Sequence, residues 1–94
     1  MIILRIEHEV VSYEGWKKAF DSDPIDRKKS GVKRYHIYQP ADNPKYVIID
    51  LEFDNLTQAQ MTEKALQNMM TKVIGTLVIG PLIKVLNEVE SKEY

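Results

Sequence analysis

Two histidines are the only side chains of this 94-residue chain that ordinarily titrate near neutrality, and their places in the pattern decide what chemistry is open to them. His8 closes the row Ile2, Leu4, Ile6, His8, which alternates with Ile3, Arg5, Glu7 and Glu9, the period-two signature of a half-buried strand. A core-facing imidazole close in sequence to Tyr13 and Trp16 is suited to take a proton from a small molecule held against those rings, so His8 is the candidate catalytic residue. Its ordinary role would be that of a buried histidine bonded to backbone or carboxylate. Tyr13 and Trp16 are the candidate substrate-binding pair, because a flat ring stacks on an aromatic ligand as well as it fills a core.

His36 has the other parity. With Arg5, Arg34, Ile48 and Asp50 it falls on the face of the strands that the helices do not cover, and these five residues are the expected interface. No metal is expected, since the two histidines point to opposite faces and no paired-histidine spacing occurs. Glycine-rich phosphate loops and nucleophile triads are also missing as motifs. Cysteine is absent, which removes disulfides, thiolate nucleophiles, iron–sulfur clusters and thiolate zinc sites together.

The elements that must position these residues follow from the pattern. Ser12 is an N-cap for a helix whose Tyr13, Trp16, Ala19 and Phe20 form one stripe. Asp23-Pro24 interrupts it, and a second short turn is expected from Pro24 to Ser30, ended by Gly31. Lys33–Tyr38 and Tyr46–Phe53 read as a wide antiparallel hairpin around Pro40–Pro44, in a register that sets Arg34 opposite Asp50. Asn55 and Gln58 form a capping box before a helix with Ala59, Leu66, Met69, Met70 and Val73 on its apolar face, and all four methionines read as core filling. After the breaks at Gly75 and Gly80-Pro81, Ile83–Val89 is the last strand.

The order βαββαβ, in one domain spanning 1–94, describes an α+β ferredoxin-like antiparallel sheet with both helices on one face. The uncovered face is too rich in Ile and Tyr for an ideal solvent face, so a partner sheet is expected to cover it. Hydrophobic residues make up 44% and charged residues 29%, ordinary globular usage. Thirteen basic residues against fourteen acidic ones leave no electrostatic footprint for nucleic acid or an anionic membrane. The N-terminus meets a charge at Arg5, too early for a signal or membrane segment, so a cytoplasmic location is expected.

An ordered set of residues resembles one family. The set comprises His8 before Val10, Tyr13-Glu-Gly-Trp16-Lys17 with Phe20-Asp21, Arg27 with Gly31, and His36-Ile-Tyr38. Asp42-Asn-Pro44, Leu51-Glu-Phe53 and Val78-Ile-Gly-Pro81 complete it. It is similar to the short antibiotic biosynthesis monooxygenase-like, or dimeric α+β barrel, proteins. Two departures are Ser12, where Asp is common, and Pro24, which splits a helix usually continuous and so alters one wall of any pocket. The resemblance implies a homodimer joined sheet to sheet, binding a small aromatic ligand, with cofactor-independent monooxygenase-type activity on aromatic or quinol substrates. It leaves open a non-catalytic binding or interaction protein, or a haem-binding protein with His8 as axial ligand.

Overall fold

A computed structural model describes the whole chain, Met1–Tyr94. Its elements run β1 (Ile2–Val10), α1 (Tyr13–Asp21), α2 (Arg27–Ser30), β2 (Arg34–Tyr38), β3 (Tyr46–Phe53), α3 (Leu56–Thr71) and β4 (Val78–Asn87). The strands form one antiparallel sheet in the order β2-β3-β1-β4, the ferredoxin-like arrangement expected from the pattern. No helix is long and apolar enough to cross a membrane.

Parity along β1 sorts the two faces. Leu4, Ile6, His8 and Val10 are buried on the helix side, where they meet Val47, Ile49, Leu51 and Phe53 of β3. α3 closes this layer with Ala59, Leu66 and Met70, joined by Thr62, a buried polar residue that the apolar pattern could not reveal. Of the four methionines only Met69 and Met70 serve the core. Met1 and Met61 are exposed, the latter because its position on α3 faces away from the sheet.

Both long helices start as capping chemistry dictates. The Ser12 side chain accepts from the Gly15 N–H at 3.3 Å, and Asn55 accepts from the Gln58 N–H at 3.1 Å, each satisfying an otherwise orphaned donor. The short helix begins later than the sequence suggests. Pro24 lies in the turn before it, and Asp26 rather than Asp23 is the N-cap of α2. Asp23 and Asp26 both adopt left-handed backbone, φ 56° and 50°, so the chain turns twice before Arg27 instead of entering a helix at Pro24.

Two strand details also differ from expectation. Arg34 pairs with Glu52 and His36 with Asp50, a slip of two residues relative to the predicted register. A slip of two preserves parity, so every side chain stays on its predicted face and apolar alternation alone could not detect it. The last strand starts at Val78 and passes through Gly80-Pro81 rather than following them, and it ends at Asn87. Proline is admitted there because β4 is an edge strand and the ladder is irregular at that point. Glu7 pairs with Leu82 and Glu9 with Ile79, so His8 alone stands opposite Gly80 and Pro81, a bulge that Gly80 enters with φ 62°.

Gly31 caps α2 in the left-handed region, φ 99°, and its N–H bonds the Lys28 carbonyl, as the sequence suggests. A Cβ there would lie 2.5 Å from the end of the Gln58 side chain, which is flexible enough to swing aside. The cost of Gly31→Ala is therefore mainly backbone strain, about 1 to 2 kcal/mol in a denaturant titration. Gly31→Asn should recover a large part of it, because Asn tolerates this conformation. Equal losses in the two variants would instead point to the contact with Gln58.

Candidate functional site

Between α1, the Asp23–Asp26 turn, α3 and the sheet lies a cavity of ≈ 270 Å³. Thirteen of its seventeen lining residues are hydrophobic, the exceptions being His8, Ser22, Pro24 and Arg27. For scale, an apolar cavity of about 150 Å³ holds benzene, so this space suits a ligand of one to two fused rings. Where α1 stops at Asp21 the following turn takes over as wall and places Pro24 and Ile25 in the lining.

His8 has 0% exposure and lines this cavity. Its Nδ1 lies 2.9 Å from the carbonyl of Glu9. A carbonyl only accepts, so Nδ1 carries the proton and Nε2 holds the free lone pair of the neutral ring. That Nε2 is buried with no hydrogen-bond partner in the protein. Burial pushes the imidazole pKa below its ordinary value, only partly opposed by the bond to Glu9. His8 is thus a neutral acceptor against an apolar chamber, positioned opposite the Gly80-Pro81 bulge.

Trp16 is buried, lines the cavity, and meets His8 edge-on with ring centres 5.9 Å apart. Phe20 stacks on Trp16 at 5.3 Å, and the Arg27 guanidinium sits 4.1 Å from the Phe20 ring centre. The wall is therefore an aromatic ladder with a neutral base at one end and a cation at the other. Tyr13 does not reach the cavity. It tilts against Trp16 at 5.8 Å and supports that ring from outside the lining. Sequence reasoning placed Arg27 only among the residues of a family resemblance. Its role in the lining depends on the turn at Asp23–Asp26, whose left-handed residues carry no signature beyond being Asp.

The opposite sheet face gathers Arg5, Arg34, His36, Ile48 and Asp50, all on the side predicted for them. Arg5 donates from Nε and Nη2 to the two carboxylate oxygens of Asp50, both at 2.8 Å, the fork geometry that arginine supplies best. Arg34 and His36 approach Glu52 instead, at 3.6 and 3.3 Å. Tyr46 donates to Glu7 at 2.6 Å, which, with burial, pushes the phenol up to about 12.

The lowered pKa of His8 makes a directional prediction. The unfolded chain binds the imidazole proton more tightly than the folded one, so this contribution to stability is complete above about pH 6.5 and is lost as pH falls toward the lower folded value. Urea midpoints of the wild type should decline between roughly pH 7 and 5 more steeply than those of His8→Gln, by up to about 1.4 kcal/mol per pH unit, one proton's worth. Parallel declines would show that His8 titrates alike in both states.

No protein-family profile matches the chain, and no curated protein sequence does. Solved structures do match. A cofactor-independent oxygenase, SnoaB from Streptomyces nogalater, superposes with a TM-score of 0.75 at 7% identity, covering 96% of this chain and 94% of that one. A Nitrosomonas europaea protein whose name reads "Putative antibiotic biosynthesis monooxygenase" gives 0.70 at 15% identity, over 96% and 100%. A dimeric ferredoxin-like protein from an uncultured marine organism gives 0.64 at 9% identity, over 100% of each chain. At such identities the likeness is one of architecture: this chain has the ferredoxin-like α+β fold shared by antibiotic biosynthesis monooxygenase-like and dimeric ferredoxin-like proteins.

Proposed function

We propose that the protein is a small-molecule-binding homodimer whose helix–sheet cavity holds an aromatic or quinol substrate and supports cofactor-independent monooxygenase-type chemistry. The observation that carries this reading is the buried, unpartnered Nε2 of His8, a residue that lines a cavity walled by Trp16 and Phe20. In it, Nε2 takes a proton from the electron-rich substrate, whose anion reduces dioxygen directly. For a naphthol-sized substrate, whose keto form presents a ring CH₂, the balance is one CH₂ and O₂ giving one C=O and H₂O. The low dielectric of the chamber favours an imidazolium paired with the substrate anion over either charge alone. The fold shared with a cofactor-independent oxygenase is consistent with this chemistry.

A cavity already filled by its own side chains would have favoured a purely structural role, and this cavity is open. Haem fits it poorly. Nε2 is a competent axial ligand, but ≈ 270 Å³ lies below the range that accepts drug-sized molecules, and the macrocycle is larger than most of those.

The homodimer rests on the helix-free face. Tyr38, Ile79 and Leu82 are all 45% or more exposed there, around the Arg5–Asp50 fork. Such a patch joined to satisfied polar pairs suits a self-complementary interface, and structural neighbours are described as dimeric. Light scattering at micromolar concentration should give twice the 10.9 kDa chain mass, and Leu82→Glu should give a folded monomer. A wild-type monomer would remove this part of the reading.

Oxygen uptake with quinol or naphthol compounds of one or two rings should fall at least about a hundredfold in His8→Gln, the lower scale of general-base catalysis, with dimer and fold retained. Uptake at equal rates in the two proteins would eliminate His8 as the base.

A further inference from the structure

Arg27 lines two spaces at once. One is the apolar cavity, and the other is a shallow surface groove that also carries Lys28, Lys33 and Arg34. Four cations and a single carboxylate, Asp23, line this groove on a chain whose net charge is −1. The cavity therefore meets the surface beside a cluster of four cations.

The bonding of Arg27 leaves capacity unused. Its Nη1 donates to the Phe20 carbonyl at 2.9 Å, while Nε and Nη2 make no bond in the protein. Asp23 does not saturate it. The Asp23 carboxylate accepts from the Arg27 backbone N–H at 2.9 Å and stands 3.5 Å from Nη1. Lys33 and Arg34 are held only loosely, at 3.7 Å from Asp54 and 3.6 Å from Glu52. The Arg27 side chain is 17% exposed, with its guanidinium held over Phe20 and Tyr35 at 4.1 and 5.1 Å from the ring centres. A fork fixed over two rings, with two donors open to solvent, is set to receive an acceptor, and a carboxylate is the acceptor whose geometry it matches.

We propose that the cavity's ligand is an aromatic carboxylate, its ring system along Trp16 and Phe20 and its carboxylate on Arg27 at the mouth. Lys28, Lys33 and Arg34 draw the anion to the entrance. The ring edge farthest from the carboxylate then lies toward His8, because the ladder from Arg27 runs through Phe20 and Trp16 to the imidazole. This inference rests on the proposed use of the cavity and adds the charge and polarity of what enters it.

Trp16 is the only tryptophan and lies in the cavity wall, so its emission reports occupancy directly. Titration with 2-naphthoate and with its neutral, equally sized amide separates the two ideas. The wild type should bind the carboxylate at least about tenfold more tightly. Arg27→Gln should reduce that preference to about twofold, weakening the carboxylate far more than the amide. Should Arg27→Gln lose its near-ultraviolet circular dichroism, the surface double variant Lys28→Gln with Lys33→Gln should still lower the preference by about threefold. Equal binding of carboxylate and amide by the wild type would overturn the anionic ligand and leave the aromatic cavity standing. An undiminished preference in folded Arg27→Gln, or in the double variant where that one is needed, would overturn the proposed anion site. Binding of neither compound would overturn the cavity reading and this inference with it.

Discussion

Strand parity is the constraint on which the rest of this molecule depends. β1 and β3 are the two central strands, each paired on both sides, so their side chains have only two destinations. One row goes under the helices and makes the core and the cavity floor, as Ile6, His8, Ile49 and Leu51 do. The other goes to the open face, where Arg5 and Asp50 hold each other in a fork. Moving β1 by one residue would place the imidazole of His8 outside and the guanidinium of Arg5 inside, exchanging a cheap burial for a very costly one. The location of the site and the identity of the uncovered face are thus fixed by the same alternation.

The second determinant is where regular structure fails. Two short irregularities stand beside the cavity's polar groups: the left-handed pair Asp23 and Asp26 before Arg27, and the bulge at Gly80-Pro81 opposite His8. The first places Pro24, Ile25 and Arg27 in the lining. The second stands opposite His8 and lets the edge strand bend there without breaking pairing on either side. The bulge sits on an edge strand of a sheet whose centre is regular, which is where departures from ladder geometry cost least.

These features explain what could be read from sequence and what could not. The row ending in His8, the Tyr13-Trp16-Phe20 stripe, the Ser12 and Asn55 caps and the Gly31 terminator are local patterns, and the structure has them. The register of β2 lies two residues from the one the pattern suggests, because Arg34 opposite Asp50 and Arg34 opposite Glu52 both pair a cation with a carboxylate and keep the same faces. Pro24 suggested a helix start, whereas the turn depends on two Asp residues in a conformation their type merely tolerates. Tyr13 and Trp16 share a stripe, yet a cavity has only one lining layer, and neither periodicity nor composition says which ring stands in front. Arg27 carries its meaning only through three neighbours that are remote in sequence or separated by turns.

β4 has a wider consequence. It is one edge of the sheet, and at Pro81 it lacks a backbone N–H while Gly80 twists the ladder beside it. The other edge, β2, is only five residues long. The bulge and proline interrupt one margin and the other is short, which discourages growth of the sheet sideways into fibrils. A chain with a sticky face but blunt edges can assemble by stacking, which closes after one partner, and not by lateral addition, which need never stop.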